Sequence, residues 1–246
     1  MKARRRALLG GAAALLLAAC AAPGPAALPE ASAEGPLPEP LEGQLWRLDP
    51  ARSLLQVLAF RQGALAGLGH NHVLTAPRLQ GWLQLPSDAS DPSRLSAAQL
   101  TRSRFALALR LDELQLDDPA QRARLGPAFA SVPTAEAVAA TRANLLGESM
   151  LDAARFPWLR VQSLQLLGEG AMVLAEIELD WHGRQQRVRL PLELAMEAAG
   201  GQVLRVQGRM ALRLTDFGIR PLSLLGGMLA VQEANAVSLD LRLRRP

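Results

Sequence analysis

Apolar and charged positions alternate strictly through the C-terminal third of the chain. Val173, Ala175, Ile177, Leu179 and Trp181 alternate with positions that include Glu176, Glu178 and Asp180. A period of two belongs to a half-buried strand, whose successive side chains point to opposite faces. The next run sets Val188, Leu190, Leu192, Leu194 and Met196 against Arg187, Arg189 and Glu193, with the tight turn His182-Gly183 between the two. After Gly200-Gly201, Leu204, Val206, Met210, Leu212 and Leu214 alternate with Arg205, Gln207, Arg209 and Arg213. Val237, Leu239, Leu241 and Leu243 then alternate with Ser238, Asp240, Arg242 and Arg244.

Earlier strands are expected at 45–48, 53–60, 79–85, 105–111 and 159–166. Between the last two, Pro133-Thr134 opens a helical stretch with Thr134 as N-cap and Val138, Thr141, Leu145 and Leu146 on one side. About eight antiparallel strands, each with one apolar face, must close into a barrel or pair as two sheets. The short turns at 168–170, 182–183 and 200–201 favour up-and-down order over the longer crossings of a Greek key. The expectation is an all-β, antiparallel up-and-down barrel with a short helical insertion. A barrel of this size is filled by its own side chains or holds one small ligand. Reading the inward phase of each strand gives Phe60, Trp82, Leu107, Leu109, Ile177, Leu179, Leu190 and Met210 as candidate lining residues. Such an aliphatic wall suits a flexible apolar guest.

The N-terminus has a different pattern. Lys2-Ala3-Arg4-Arg5-Arg6 precedes a short apolar run ending Leu17-Ala18-Ala19-Cys20. A basic segment followed by about 7–15 apolar residues is an export signal, too short to span a bilayer of about 30 Å. Leu-Ala-Ala-Cys resembles the lipobox of bacterial lipoproteins, which implies a signal over residues 1–19 and acylation of Cys20 as the first mature residue. Cys20 is the only cysteine, so no intramolecular disulfide forms. Residues 20–44 carry six prolines among Ala and Glu and read as an extended tether. That leaves one domain over 45–246. Ala21 and Ala22 after the cysteine resemble lipoproteins sent to an outer membrane, placing the domain in the periplasm-facing envelope. Arg5-Arg6 leaves the export route open, and the oligomeric state has no signal in the sequence.

Charge then excludes several classes. Four of the 27 basic residues lie in the signal, and no acidic residue does, so the mature chain balances its 23 carboxylates. Nucleic acid is not an expected partner. Lys2 is the only lysine, which rules out a Walker, Schiff-base or kinase lysine after export.

Several segments together resemble the YceI-like family. These are Trp46-Arg47-Leu48-Asp49 with Ser53; Leu79-Gln80-Gly81-Trp82-Leu83; Arg142-Ala143-Asn144-Leu145-Leu146 followed by Met150-Leu151-Asp152 and Arg155-Phe156-Pro157; Trp181-His182-Gly183; and Asp216-Phe217-Gly218-Ile219. The resemblance implies a lipocalin-like barrel holding a polyisoprenoid or related amphipathic lipid. Gly69-His70-Asn71-His72-Val73 is a departure from the usual pattern.

His70 and His72 stand at i and i+2, a spacing that turns two imidazoles to one side of a strand. A metal site needs three or four ligands, which only His182 or distant carboxylates could complete. A polar lip at the barrel mouth is the favoured reading of the pair, with metal or haem ligation and ordinary hydrogen-bonded histidines as alternatives. Asp216-Phe217-Gly218 lacks every other kinase element, and Gly147-Glu148-Ser149-Met150 lacks the second glycine of a nucleophile elbow. The carboxylates of Asp117 and Asp118, or of Glu176, Glu178 and Asp180, read as solvated faces. No enzyme is expected. The first reading is a lipid-anchored carrier of an isoprenoid-like chain. The others are an envelope interaction protein with a filled barrel and a metal or haem redox accessory working through His70 and His72.

Overall fold

The computed structural model describes residues 37–197 and 203–246. The signal, Cys20, most of the tether and the Gly200-Gly201 turn lie outside the described residues. The strands are β1 Gln44–Leu48, β2 Leu54–Ala59, β3 Arg61–Gln62, β4 His72–Thr75, β5 Gln80–Leu85, β6 Arg104–Arg110 and β7 Gln115–Leu116. They continue with β8 Trp158–Glu169, β9 Met172–Trp181, β10 Arg184–Met196, β11 Val203–Arg213, β12 Ser223–Leu224, β13 Leu229–Val231 and β14 Ala234–Arg244. The helices are α1 Ala97–Arg102, α2 Pro119–Ala123 and α3 Ala135–Leu146.

Six of the short strands are halves of three longer ones. β1 and β2 both run antiparallel along β14, Leu48 opposite Leu243 and Val57 opposite Val237, with Pro50–Arg52 as a one-turn interruption. β5 and β4 continue one another along β1 and β2, Leu83 opposite Trp46 and Leu74 opposite Val57. β6 and β7 follow in the same way, Leu107 opposite Gly81 and Leu116 opposite Leu74. Pro50 and Pro77 fall in two of the interruptions, where a missing N–H removes a ladder bond. Counted as continuous, the described strands form an eight-stranded antiparallel barrel in chain order, closed by β1 and β2 against β14. The fold is the lipocalin-like up-and-down barrel that the sequence leads one to expect.

The hairpin between β9 and β10 turns on two residues, His182 at φ +53° and Gly183 at φ +70°. Positive φ at both positions is the two-residue turn whose twist matches the flanking strands. α3 starts where the sequence places it, the Thr134 hydroxyl accepting from the Ala137 amide at 3.2 Å. On the outer face, Glu176, Glu178 and Asp180 meet Arg189, Gln162 and Arg160. Such exposed pairs contribute little stability, and the alternating phase keeps them out of the interior.

The two ends of the barrel differ. One is plugged by α1, whose N-terminus is held by a reciprocal cap between Ser96 and Gln99. Leu95 and Leu100, both fully buried, press from this plug into the barrel. The other end is covered by residues 60–71, by residues 117–157 carrying α2 and α3, and by a flap at 214–233. β12 and β13 of the flap and β3 of the 60–71 segment make a small separate sheet. Among the described residues, no helix is long and apolar enough to cross a membrane.

Candidate functional site

The inward rows of the barrel do not fill its centre. A cavity of about 130 Å³ runs between Leu95 and Leu100 at the plugged end and Leu109, Leu159 and Leu212 at mid-barrel, walled by carbon on every side. A second chamber of about 170 Å³ lies under α3 at the flap end. The two share Leu55, Val57, Leu109, Leu159 and Leu212 as wall residues, which form a waist between them. An apolar hollow of about 150 Å³ stays dry and accepts benzene-sized guests, because nothing in its wall bonds water.

Leu107, Leu109, Ile177, Leu179, Leu190 and Met210 all project into the inner cavity from inward rows. Of the other two expected lining residues, one lines the cavity from an unexpected side and one stands elsewhere. Trp82 borders the cavity from the opposite row of β5: its cross-strand partner Arg47 is exposed, and its indole N–H donates to the Pro38 carbonyl at 2.9 Å. The segment 37–43 therefore packs along the outside of β5, with Gln84 donating to the Glu42 carbonyl. Phe60 is a correction to the sequence reading. The inward row of β2 is Leu55, Val57 and Ala59, so Phe60 has the outward parity, and its ring meets Phe129 edge-on at 5.7 Å. Both rows of β2 carry apolar side chains, so alternation could not phase it.

The chamber differs from the inner cavity in having polar groups at its rim. His72, Thr141, Asn144 and Asn235 take part in its wall beside Leu145, Leu222 and Val231. Asn144 and its neighbour Ala143 are exposed, so the chamber reaches the surface between α3 and the flap. At the plugged end a polar surface groove lined by Ser93, Arg94, Ser96, Gln99, Glu169 and Glu193 lies on the far side of Leu95 and Leu194, which also wall the inner cavity.

His72 is held by a buried ionic cluster. Its Nδ1 lies 2.6 Å from Asp117 Oδ2, and the Asp117 side chain is wholly buried. The ionised carboxylate only accepts, so Nδ1 carries the proton. Asp117 also receives the Val73 amide at 3.1 Å and the Arg122 guanidinium. Arg122 is 95 % buried in turn and donates to the carbonyls of Asn71, Phe129 and Ser131. Burial pushes the Asp117 carboxyl up, but the bonds from His72, Val73 and Arg122 outweigh it and hold it below the ordinary carboxylate value. His70 meets Ser131 Oγ at 3.1 Å, and burial together with the neighbouring His72, Arg122 and Arg61 keeps its imidazole below the usual value. The reading of Asp117 as part of a solvated face is thus corrected. Asp118 next to it caps α2 through the Gln121 amide.

Sequence reasoning also missed Arg122, which closes this network, and Trp181 as a chamber wall residue. Arg122 bonds mostly to neighbours in an irregular stretch, Asp117, Phe129 and Ser131, with Asn71 as the distant partner, and such a stretch has no periodicity to mark a buried charge. Among the described residues, no group of three or more His, Cys, Asp or Glu side chains comes together that could hold a metal ion. Cys20, the expected acylation site, lies outside the described residues.

Residues 46–244 match the pattern of the family described as the YceI-like domain. The crystal structure of Burkholderia cenocepacia BcnA is similar with a TM-score of 0.55 at 11 % identity, over 79 % of this chain and 98 % of that one. A polyisoprenoid binding domain from Saccharophagus degradans, implicated in plant cell wall breakdown, is similar with a TM-score of 0.51 at 12 % identity, over 82 % of this chain and 98 % of that one. At these identities the structural likeness is one of fold. No curated protein matches the chain.

Proposed function

The chain belongs to the YceI-like domain family, and from that premise we propose that it is a non-enzymatic binding protein for a long-chain amphipathic lipid of the isoprenoid kind. The observation that carries this reading is the pair of apolar compartments, inner cavity and chamber, stacked along the barrel on either side of Leu55, Val57, Leu109, Leu159 and Leu212. Its wall follows β9 from Val173 to Trp181, about 20 Å along the axis of a tilted barrel. That exceeds the half-thickness of a bilayer core of about 30 Å.

The apolar tail lies against Leu107, Leu109, Ile177, Leu179, Leu190 and Met210. The head rests in the chamber, where His72, Thr141, Asn144 and Asn235 offer polar atoms. Each methylene taken from water contributes about 0.8 kcal/mol. Ten of them supply about 8 kcal/mol, from which the ordering of the chain subtracts. A wall of leucines reads length and girth and little else, so chains of related size compete for it. The barrel of the Saccharophagus domain, described as polyisoprenoid binding, supports the same ligand class.

The proposal includes the address. Acylation of Cys20 after removal of residues 1–19 anchors the domain to a bacterial envelope membrane, facing the periplasm, with 20–44 as tether. Two or three acyl chains give a stable anchor where one gives a marginal one.

The test is extraction of the protein, purified without added lipid from the organism that makes it, into organic solvent for mass spectrometry. The expected result is a long-chain amphipathic lipid in near-stoichiometric amount. Protein that yields none, and takes up no geranylgeraniol from detergent, overturns the proposal.

A further inference from the structure

Of the large apolar side chains left exposed among the described residues, most gather at one tip of the molecule. Leu68 is 75 % exposed, Leu225 67 %, Leu224 48 % and Met228 46 %. The first belongs to the 60–71 segment and the others to the flap, and the two segments are joined: the Leu65 amide donates to the Met228 carbonyl at 2.8 Å, and β3 pairs with β13. Val132, 81 % exposed, follows Ser131, the residue that His70 meets. Soluble surfaces scatter single apolar residues, and a contiguous group of this kind marks an interaction site.

The backbone is shaped to present them. Gly63, at φ +101°, lets the two segments meet where a Cβ would stand 2.4 Å from the Met228 carbonyl oxygen. Leu225 itself sits at φ +51°, a left-handed conformation that glycine adopts freely and leucine does not. A strained leucine whose side chain stands in water is an outlier that points to use.

We propose that this tip docks on a lipid bilayer surface, placing the mouth of the chamber against the membrane. Three observations select a bilayer over another occupant. Leu222 and Val231 of the same flap wall the chamber, so the exposed tip and the chamber wall are built from one segment. The tip itself, 60–72 and 217–232, contains Arg61 and Arg220 and no carboxylate, and the two carboxylates of the flap, Asp216 and Glu233, stand at its base against Arg213, so no acidic group on the tip repels an anionic lipid surface. The chain also leaves the barrel in this direction: passing backward from Glu42 at Gln84 to Pro38 at Trp82, it runs along β5 toward the flap end. Sixteen residues lie between Leu37 and Cys20. At about 3.1 Å each when extended, they span up to about 50 Å, enough to reach a membrane below the tip.

The inference rests on the carrier reading, because docking serves to pass a chain between bilayer and barrel. The experiment uses the full chain reconstituted in vesicles of phosphatidylethanolamine and phosphatidylglycerol that include brominated lipid. With Leu225→Trp, the added fluorescence is expected to be quenched several-fold more than that of the parent tryptophans. The extra quenching should disappear when Leu68→Ser and Met228→Ser are added. Met172→Trp, exposed at the opposite end of the barrel, should show none. No extra quenching at position 225, or equal quenching at position 172, overturns the docking. Self-association of the chain through the tip in detergent, without quenching, assigns the face to a second copy and overturns it too. Uptake of labelled geranylgeraniol from detergent micelles reads the carrier function separately: normal uptake without quenching sinks only the docking, and quenching without uptake sinks the carrier.

Discussion

Replacing Leu109 by phenylalanine separates a hollow barrel from a filled one. Leu109 borders both the 130 Å³ cavity and the 170 Å³ chamber at their waist. In a close-packed interior, the larger ring would force side chains off their rotamers and cost about 1–3 kcal/mol. Here it enters space that is already apolar and removes more carbon surface from water, which stabilises the fold by up to about 1 kcal/mol. For a domain of this size that raises Tm by about 2–4 °C. The same ring closes the waist to a long chain. Excluding four methylenes from the second compartment loses about 3 kcal/mol, roughly a hundredfold in Kd. Thermal unfolding by circular dichroism and titration with geranylgeraniol and with benzene read both effects. Leu109→Phe should melt no lower than the parent, keep benzene and weaken geranylgeraniol about a hundredfold. A fall in Tm of about 5 °C or more, or an unchanged affinity for the long chain, refutes the reasoning.

The remaining expectations concern the ionic cluster and the anchor. Arg122→Ala leaves Asp117 buried with one cation fewer and should cost about 3–5 kcal/mol in denaturant unfolding, far beyond any exposed pair on the barrel surface. Because the folded-state pKa of Asp117 is depressed, its contribution is complete above the unfolded value near 3.9 and is lost as pH falls below that through the folded value. Asp117→Asn is therefore expected to be less stable than the parent at neutral pH and to lose less stability on acidification below about pH 4; parallel acid limbs in the two proteins would contradict this. Cys20→Ala should abolish incorporation of labelled fatty acid and release the chain from the membrane fraction, as measured by fractionation.

The legible parts of the fold are those where one face of a strand is wet. β9, β10, β11 and β14 show clean alternation because Glu178, Arg189, Arg205 and Asp240 stand outside while Ile177, Leu190, Val206 and Leu241 stand inside. β4 carries no such signal: Val73, Leu74 and Thr75 are buried on both rows, and a strand covered on both faces loses its period. The same cause obscures the phase of Phe60 and of Trp82, whose outer row is covered by residues 37–43. An outward tryptophan is itself a sign that chain lies over it. The buried cluster is the least legible feature. Asp117 beside Asp118 reads as a charged loop, and only the fold brings it to His72, 45 residues away. The His70 and His72 pair stands out in the sequence as unusual, but the two separate in the structure: His72 takes part in the chamber wall, held by that distant carboxylate, and His70 turns to Ser131.

The most direct test of the central claim is native mass spectrometry of the full chain after titration with geranylgeraniol. One chain of lipid bound per protein, displaced in competition by other long isoprenoid alcohols and weakened by Leu109→Phe, is the predicted result. A protein that binds none, or that binds many without competition, would contradict a single apolar channel running through the barrel.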